Sequence, residues 1–421
     1  MPIEFGYDYS SFSISLFQGG PTGISRVDLE GARYFSSVAA DRTVGLHQLF
    51  GIRTRFSAAR LARMVKDIDH AWGDFPDEDR RSAINVWLNG GLHPPRQVRH
   101  EHEAPLSRKA LDLTCKWPWH DVRFTLPNGA CYINTSYANT RSWRSLAWLR
   151  RRRGLRSVFV VHDLLPLENP DWFWDGLKTR FLKQIECILA AADGIVTPSE
   201  TVACNLRQFL GQHGHKPIPV RAIHLPAGDA FQRAKNSEKY DTPYFVMCGT
   251  IEPRKNHKLI IDVWRKIIAQ NYRAPKLIIF GKRGWRNNDV FSILDNDPSI
   301  KSHFLEISDI STDDLAYFLS GARALLMPSF NEGFGLPVVE AMRTKTRVIA
   351  SDIPVFREIA NEYATFVDYS DVGRWASEVV KHCEVDYGHT GFSAPILHHG
   401  TYSWTSFYDK VAEFARGVGR A

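Results

Sequence analysis

Two glutamates, Glu332 and Glu340, frame a short glycine-containing segment and have seven residues between them. Gly333 and Gly335 leave room there for a ligand to approach the backbone closely. An ionised carboxylate accepts hydrogen bonds from hydroxyl groups, so this pair suits a ligand rich in hydroxyls, such as a sugar. The alternative interpretation is a solvated loop with one surface glutamate and one glutamate at the start of a helix.

The segment that carries these glutamates lies between a predicted strand and a predicted helix. The apolar run at residues 322–327 is typical of a buried parallel strand. Pro337 suits the first turn of a helix, where no backbone N–H is needed. A helix that starts here directs its unpaired N–H groups and the positive end of its dipole toward the turn, which favours a phosphate. Phosphate and hydroxyl recognition in one loop indicates a nucleotide sugar.

Two cations, Arg254 and Lys255, occupy a second strand-to-helix turn. They follow the predicted strand 244–248 and precede a helix that we expect to start near His257, with Asn256 as its cap. Adjacent cations at such a turn suit a pyrophosphate. The alternative is ordinary surface charge on a solvated loop.

Candidate site residues also occur earlier in the chain. His162 and Asp163 lie in the apolar run 157–165, at the end of a predicted strand, and ligands of open α/β sheets bind beyond the carboxyl ends of strands. A lone histidine in such a place is more often a satisfied core residue. Gly20 and Gly23 lie in a glycine-rich turn between a predicted strand (11–17) and a predicted helix (25–34). Such a turn either cradles a phosphate or is a plain loop.

Two charged clusters match metal-binding patterns but have simpler interpretations. Asp67 and Asp69 form a D-x-D pattern within residues 45–70, which we expect to be helical, and this favours solvated helix carboxylates. The His-Glu-His-Glu run at residues 100–103 lies in a stretch, 73–110, whose Pro, Gly and charge content predicts a solvated loop. The sequence therefore predicts neither a metal nor another cofactor.

An aromatic and basic patch follows in the predicted helix 142–149. It contains Trp143 and Trp148 and is closed by four consecutive arginines, Arg150 to Arg153. Aromatic residues beside an arginine cluster suit an anionic membrane surface. The alternative is a helix C-terminus whose arginines interact with its dipole and with solvent.

Composition bounds the class of protein. The 421 residues are 44% hydrophobic and 24% charged, with a net charge of +7 and a pI near 9.0. This balance is typical of a soluble chain of two or three domains, with no nucleic-acid-binding tail. The sequence has no apolar run of the about 18 residues that span a bilayer and no signal-peptide pattern, so any membrane contact is expected to be peripheral. Six cysteines without paired spacing favour the cytoplasm.

The alternation of short apolar strands with helices predicts an α/β fold with two doubly wound, Rossmann-like sheets facing each other across a cleft. We expect a first lobe over residues 1–235 and a second lobe over residues 242–399, with a linker at 228–241. Residues 403–416 predict one amphipathic final helix.

The segment at residues 329–342 resembles the E-x7-E signature of the retaining, two-lobed glycosyltransferases of family 4. Other similar segments follow the family's order, and the resemblance is dense from residue 244 to 404 and sparse before that. The matching segments are residues 249–256, residues 281–285, Ser308 with Asp309, residues 351–355 with Glu358, and Trp404.

The resemblance implies a GT-B fold and the transfer of a hexose from a nucleoside diphosphate to a hydroxyl of a glycan or lipid-linked glycan. It implies retention of configuration, no metal, a donor held by the second lobe, and residues 400–421 crossing back to the first. The roles it implies are neutralisation of the leaving diphosphate by Arg254 and Lys255, hydrogen bonding of the transferred sugar by His162 and Glu332, and binding of the ribose by Glu340. The other implied donor contacts are Gly20, Gly23, Thr250, Asn331, Gly333, Phe334, Gly335 and Leu336.

One departure from the family pattern affects the donor. Many members have an arginine directly after the glycine that matches Gly249, where this chain has Thr250; Arg254 could replace that charge. The segment 252–256 is similar to bacterial polysaccharide and O-antigen transferases, which favours GDP-mannose as donor. The alternatives are a two-lobed nucleotide-sugar epimerase and a non-catalytic scaffold. The intact set of Glu332, Glu340 and Lys255 argues against the scaffold.

Overall fold

The computed structural model describes residues 2–11, 23–49, 52–72, 76–94, 126–151, 154–236, 238, 240–270, 272–384 and 402–419. They form two α/β lobes, each built on one sheet. The first sheet has the strand order β3-β2-β1-β4-β5-β6-β7; β2 and β3 are antiparallel and the other neighbouring strands are parallel. Its strands are β1 (Phe5–Asp8), β2 (Thr43–Leu49), β3 (Ile52–Ser57), β4 (Cys131–Asn134), β5 (Arg156–Val160), β6 (Gly194–Thr197) and β7 (Val220–Ala222).

The helices of the first part of the chain connect these strands. Every residue of β1, β4 and β6 is buried, as expected of a parallel sheet covered on both faces. The helices are α1 (Gly23–Ser37), α2 (Ala58–Trp72), α3 (Glu78–Leu88), α4 (Trp143–Arg150), α5 (Leu165–Glu168), α6 (Leu177–Ala191), α7 (Glu200–Gln212) and α8 (Asp229–Arg233), with short 3₁₀ turns at Ala40–Arg42 and Pro170–Trp172.

The second sheet is wholly parallel, in the order β10-β9-β8-β11-β12-β13. Its strands are β8 (Tyr244–Cys248), β9 (Lys276–Phe280), β10 (Phe304–Ile307), β11 (Leu325–Met327), β12 (Val348–Ser351) and β13 (Ala364–Val367). The helices are α9 (His257–Ala269), α10 (Asn288–Asn296), α11 (Pro298–Lys301), α12 (Thr312–Gly321), α13 (Leu336–Arg343), α14 (Pro354–Ala360), α15 (Val372–Glu384) and α16 (Trp404–Gly417), with 3₁₀ turns at Pro253–Lys255 and Asn361–Tyr363.

The final helix, α16, packs on the first lobe. The Tyr408 hydroxyl donates a hydrogen bond to the Val27 carbonyl of α1, and α16 also contacts β4, β5 and β6. Gly194 at the start of β6 permits this approach, because a Cβ there would lie 2.7 Å from Val418 and 2.9 Å from Phe414. The chain that ends the second lobe therefore completes the first.

Helix α3 makes the reverse crossing, from the first part of the chain to the second lobe. The Lys276 ammonium of β9 lies 4.5 Å from the centre of the Trp87 ring. Arg81 donates two hydrogen bonds to Asp314 of α12, at 2.5 and 2.9 Å. His93 Nε2 lies 3.0 Å from the Phe304 carbonyl oxygen. The two lobes thus exchange helices: α16, which follows the second lobe in sequence, packs on the first lobe, and α3 of the first part of the chain packs on the second.

Two sequence-based expectations for this region were wrong. Residues 45–70 are helical only from Ala58; before that, β2 and β3 pair as an antiparallel hairpin, with Phe56 buried against Tyr9. Cross-strand packing decided the structure of a stretch whose apolar spacing is ambiguous. The stretch 73–110 was expected to be a loop, yet it contains α3, whose first turn is capped by the Asp77 carboxylate.

Smaller differences concern element boundaries. The strand expected at residues 11–17 falls almost entirely outside the described residues, and the first described strand is β1. The expected linker 228–241 contains α8. Asn256 precedes α9 as expected, but its side chain donates to the Tyr369 carbonyl (3.0 Å) instead of capping the helix.

Candidate active site

Two turns of the second lobe meet at the carboxyl ends of β8 and β11. The turn after β8 contains the 3₁₀ turn Pro253–Lys255, and the turn after β11 carries Glu332. The backbone N–H of Phe330 donates to the Arg254 carbonyl (2.9 Å), which fixes one turn against the other. Arg254 also donates from Nη1 to the Asn331 carbonyl (3.0 Å). Parallel strands end at the same edge of a sheet, and here that edge gathers the charged residues singled out in the sequence.

The Glu332 carboxylate holds both cations of this site. Lys255 Nζ lies 2.5 Å from Glu332 Oε1, and Arg254 pairs with Oε2 of the same carboxylate. Ser329 Oγ donates to Oε1 at 2.8 Å. Arg254 is shared with a second carboxylate, Glu252, at 2.7 Å. Arg254 aside, whose side chain is 14% exposed, these charged residues are buried, so the cluster acts in a medium where charge interactions are strong.

The protonation state of this cluster follows from its charges. Burial would raise the pKa of Glu332, but Arg254 and Lys255 outweigh it and lower that pKa to about 2. Burial would likewise lower the pKa of Arg254, and the carboxylates of Glu332, Glu252 and Asp163 raise it instead. At neutral pH the site therefore contains an ionised carboxylate between fixed cations.

The segment between the glutamates is pressed against the first lobe. A Cβ on Gly333 would lie 2.5 Å from the His162 carbonyl oxygen and 2.9 Å from Asp163 Cβ, so glycine permits the contact between the lobes. The Gly333 carbonyl accepts a hydrogen bond from Ser199 Oγ (2.9 Å). Gly335 has φ = 98° and immediately precedes α13. Its left-handed backbone turns the chain into the helix, which few other residues would do without strain.

His162 reaches the same place from the end of β5. Its Nε2 lies 2.8 Å from the Thr135 carbonyl oxygen, and since a carbonyl only accepts, Nε2 carries a proton. Burial lowers the pKa of His162 to about 4, so the ring is neutral at physiological pH. Nδ1 is then a hydrogen-bond acceptor, which suits a hydroxyl group.

Glu340 has a partner that the sequence analysis missed. Its Oε1 lies 2.7 Å from Nη1 of Arg26, which projects from the first turns of α1 in the other lobe. Burial raises the pKa of Glu340, and the Arg26 charge opposes that shift. Arg26 lies in the predicted helix 25–34, and nothing in its local sequence points to this partner.

The remaining expected donor contacts are distributed around this cluster. Asn331 Oδ1 accepts from the Glu332 backbone N–H (2.8 Å), Phe334 is buried with its ring centroid 5.8 Å from that of His224, and Leu336 is the first residue of α13. Thr250 follows Gly249, which has φ = 122°. Gly23 is the first residue of α1. Gly20 lies outside the described residues.

Glu358 is a second residue whose position sequence reasoning did not foresee. It accepts hydrogen bonds from the backbone N–H groups of Glu200 (2.6 Å) and Thr201 (2.9 Å) at the start of α7, and from His224 Nε2 (2.7 Å). Burial would raise the pKa of Glu358, but the His224 and Thr201 hydrogen bonds outweigh it and lower the pKa to about 2. It joins α14 of the second lobe to the first lobe.

A cluster of aromatic residues around Trp172 and Phe330 joins the two lobes. Trp172 stacks on Phe330 with the ring centres 5.8 Å apart. The Trp285 indole N–H donates to the Trp172 carbonyl (2.8 Å). Tyr369 meets Phe330 edge-on at 5.3 Å. The loop after β5 is therefore held against loops of the second lobe close to Glu332.

The acidic clusters do not assemble as a metal centre in the described part of the chain. There, no group of three or more His, Cys, Asp or Glu residues could hold a metal ion. Asp69 of α2 is instead paired with Arg33 of α1. The run at residues 100–103 lies outside the described residues.

The aromatic and basic patch is only partly exposed to solvent. Trp143 is 41% exposed, whereas Trp148 lies under the Arg53 guanidinium, 4.5 Å from its ring centre. Arg150 Nε donates to the Ala190 carbonyl (2.6 Å), and Arg152 and Arg153 are not among the described residues. Within the described ranges, no helix is both long and apolar enough to cross a membrane.

Solved structures with the same arrangement define the class of fold. HepE from Anabaena, solved with UDP and glucose, superimposes with a TM-score of 0.61 over 99% of this chain and 100% of its own, at 14% identity. Sucrose-phosphate synthase from Thermosynechococcus elongatus gives 0.53 over 74% of this chain and 77% of its own, at 17% identity. The two facing Rossmann-like lobes are the GT-B fold, which confirms the fold expected from the sequence.

The family follows from the sequence of the second lobe. Residues 229–381 match the family described as "Glycosyl transferases group 1". The serotype-specific mannosyltransferase WbdA of Escherichia coli is 33% identical over 253 residues, which cover 56% of this chain and 30% of WbdA. The O-antigen chain mannosyltransferase RfbU of Salmonella typhimurium is 30% identical over 223 residues, or 53% of this chain and 59% of RfbU. The second lobe is a group 1 glycosyltransferase domain, and the expected family resemblance is confirmed.

The chain spans only about 30% of the length of the WbdA proteins that it matches. It also spans less than two thirds of RfbU.

Proposed function

We propose that this chain is a retaining glycosyltransferase that moves a hexose, with mannose from GDP-mannose as the leading candidate, to a hydroxyl of a glycan or lipid-linked glycan in cell-surface polysaccharide synthesis. The observation that carries the proposal is the buried Glu332 carboxylate bound to Arg254 and Lys255, beside Gly333, which packs against the His162 backbone of the other lobe. The printed names of WbdA and RfbU, both mannosyltransferases, support mannose.

The cations of the site match the charge that this reaction develops. When the bond between the sugar C1 and the diphosphate oxygen breaks, negative charge grows on the leaving phosphate. Arg254 and Lys255 are already positioned by Glu332 before any substrate enters. Cations fixed in advance stabilise the transition state without having to reorganise, and each is typically worth about 2–4 kcal/mol of barrier.

The carboxylates and His162 suit the sugar parts of the donor. Glu332 is ionised and can accept hydrogen bonds from hydroxyls of the transferred hexose. The neutral His162 ring offers Nδ1 to a further hydroxyl, and Glu340 at the start of α13 offers its carboxylate to the ribose hydroxyls. The N-terminus of α13, preceded by Gly335, suits the diphosphate.

Retention follows in this proposal if departure and attack take place on one face of the sugar. The bond from C1 to the diphosphate breaks, the acceptor oxygen bonds to C1 on the same face, and the leaving phosphate oxygen takes the acceptor proton. In this scheme Glu332 accepts hydrogen bonds and does not itself bond to C1. Its oxygens are already held by Lys255, Arg254 and Ser329. We propose that no metal is required, because the two cations supply the positive charge.

A panel of nucleotide sugars tests the donor. A ligand that binds the native state raises its melting temperature in proportion to the logarithm of its concentration over Kd. We expect GDP-mannose and GDP to stabilise the protein more than UDP-glucose and UDP do. Stabilisation by UDP compounds alone would overturn the choice of donor. Conversion of the donor without any acceptor would indicate an epimerase instead.

We further propose that the chain acts in the cytoplasm, at the inner face of the membrane, on a lipid-linked acceptor. The exposed Trp143 and the neighbouring arginines support this, because arginines near an anionic surface contribute about 1 kcal/mol each.

A further inference from the structure

An ion pair closes the cleft at the second glutamate. Arg26 lies on α1 of the first lobe, Glu340 on α13 of the second, and Arg26 Nη1 is 2.7 Å from Glu340 Oε1. The Glu340 side chain is 3% exposed and the Arg26 side chain 23%. The carboxylate is therefore inside the protein, while the guanidinium reaches it from the side that remains open to solvent.

This pair occupies a carboxylate that the donor needs under the proposed function. Glu340 is the group that would receive the ribose hydroxyls, and in this structure its Oε1 is bound to Arg26. A buried carboxylate without a partner is costly, so Arg26 and the ribose are alternative partners that satisfy the same oxygen. A ribose hydroxyl that takes Oε1 displaces Arg26 from it.

The neighbourhood of Arg26 indicates where its charge can act next. Cys248 ends β8, and a Cβ on the next residue, Gly249, would lie 3.3 Å from Lys255 Nζ, so Lys255 lies at that strand end. Burial raises the pKa of the Cys248 thiol, and the charges of Glu340, Lys255 and Arg26 also act on it. In a nucleotide, the α-phosphate is joined through O5′ to the ribose that bears the 2′ and 3′ hydroxyls. A guanidinium displaced from Glu340 by those hydroxyls is thus left beside the diphosphate.

Arg26 is also the less committed of the two arginines at this site. Arg254 is bound to Glu252, Glu332 and the Asn331 carbonyl, so its donors are largely used before a substrate arrives. Arg26 is hydrogen-bonded to Glu340 in the described part of the chain, through a single nitrogen. Its fork of donors suits an anionic phosphate oxygen.

We propose that Arg26 is a donor-binding residue of the first lobe, which exchanges the Glu340 carboxylate for the donor diphosphate when the ribose takes its place. The inference rests on the proposed function, since it assumes that Glu340 binds ribose. It adds a side chain of the first lobe to the groups that bind the donor diphosphate. The same cation then joins the two lobes in both cases, through Glu340 in this structure and through the diphosphate when the donor is bound.

The test distinguishes binding of the diphosphate from binding of the nucleoside. Calorimetric Kd values are measured for GDP, and for guanosine by displacement of GDP, with the wild-type chain, Arg26→Gln and Arg26→Lys; UDP and uridine are measured in parallel. The control is Arg81→Gln, which breaks another ion pair between lobes, with side chains of similar exposure (28% for Arg81, 3% for Asp314), away from Glu340. The chain is used in full, and unfolding curves show that each variant is folded.

We expect Arg26→Gln to raise the Kd of the diphosphate at least about tenfold, the effect of losing one charged hydrogen bond. The Kd of the nucleoside should stay the same or fall, because Glu340 is released for the ribose. Arg26→Lys should recover part of the diphosphate affinity, and Arg81→Gln should leave the ratio of the two Kd values unchanged.

If Arg26→Gln weakens binding of the nucleoside as much as binding of the diphosphate, or weakens neither, the assignment of Arg26 is overturned. The glycosyltransferase proposal stays intact in that case. A wild-type chain that binds neither GDP nor UDP overturns both.

Discussion

Lys255 Nζ lies 2.5 Å from Oε1 of Glu332, across the junction between the turn after β8 and the turn after β11. The two residues are 77 positions apart in the sequence, and the parallel sheet brings them together because β8 and β11 are neighbours. The carboxylate holds the cation at a fixed place, and the cation keeps the carboxylate ionised.

Replacing Lys255 with alanine should reduce turnover far more than it reduces stability. Glu332 keeps Arg254 as a partner in that variant, so the fold tolerates the loss. The barrier should rise by about 2–4 kcal/mol, because the variant loses a fixed cation that we propose faces the leaving phosphate. Steady-state kinetics beside urea unfolding measure both effects, and an unchanged kcat/KM would remove Lys255 from the reaction.

Arg254→Ala provides the contrast to Lys255→Ala. Arg254 neutralises Glu252 as well as Glu332, and both carboxylates are buried. Breaking a buried pair from one side typically costs about 3–5 kcal/mol. We therefore expect this variant to lose stability as well as activity, and a free energy of unfolding equal to that of Lys255→Ala would contradict the structure.

Glu332→Gln should show a characteristic dependence of stability on pH. The pKa of Glu332 is lowered from 4.5 to about 2 in the folded state, so its ionised form stabilises the fold above about pH 4.5 and that contribution disappears as the pH falls toward 2. At neutral pH the wild-type chain should be the more stable, by up to about 3 kcal/mol from this shift. This difference in free energy of unfolding, measured by urea unfolding, should shrink between pH 5 and pH 3. A difference that is constant with pH would show that the ion pairs do not lower the pKa of Glu332.

Gly333→Ala tests the contact between the lobes. Its Cβ would lie 2.5 Å from the His162 carbonyl oxygen, so the lobes must separate by a few tenths of an ångström or more. Activity should fall at least tenfold, since the groups that we propose act on the donor come from both lobes and are displaced, while each lobe keeps its own core. Gly211→Ala is the control, because a Cβ there meets nothing within 4 Å; equal activity in the two variants would mean that closure at Gly333 is dispensable.

Arg151 provides the test of membrane contact. It is exposed at the end of α4, whereas Arg150 is bound to the Ala190 carbonyl. Changing residues 151–153 to serine should weaken cosedimentation with anionic liposomes at low salt, with little effect at high salt, where the charges are screened. If the altered and unaltered chains sediment equally, the patch is a solvated helix end and the acceptor need not be at a membrane.

Much of the fold and of the second lobe's site could be predicted from sequence because both depend on local patterns. Apolar runs indicated β8 and β11, and the turns that follow these two strands contain Arg254, Lys255 and Glu332. The two-lobed architecture followed from the alternation of these elements.

The rest depended on contacts between distant parts of the chain. The partnership of Arg26 with Glu340 joins residues 314 positions apart, and an arginine in a helix carries no local sign of such a partner. The hairpin of β2 and β3 is stabilised by its neighbours in the sheet, while its own apolar spacing also fits a helix. Helix α3 packs on the other lobe through Trp87 and Arg81. Sequence patterns within one lobe do not predict its contacts with the other lobe.

The most direct test of the central claim is the NMR spectrum of the product formed from GDP-mannose and a mannose-terminated oligosaccharide acceptor, with excess EDTA present. The proposal predicts an α-linked mannoside, matching the α configuration of the donor, at a rate that EDTA does not change and that Lys255→Ala reduces at least about thirtyfold. A β-linked product, an altered donor without transfer, or a reaction that stops in EDTA and resumes with Mg²⁺ would contradict it.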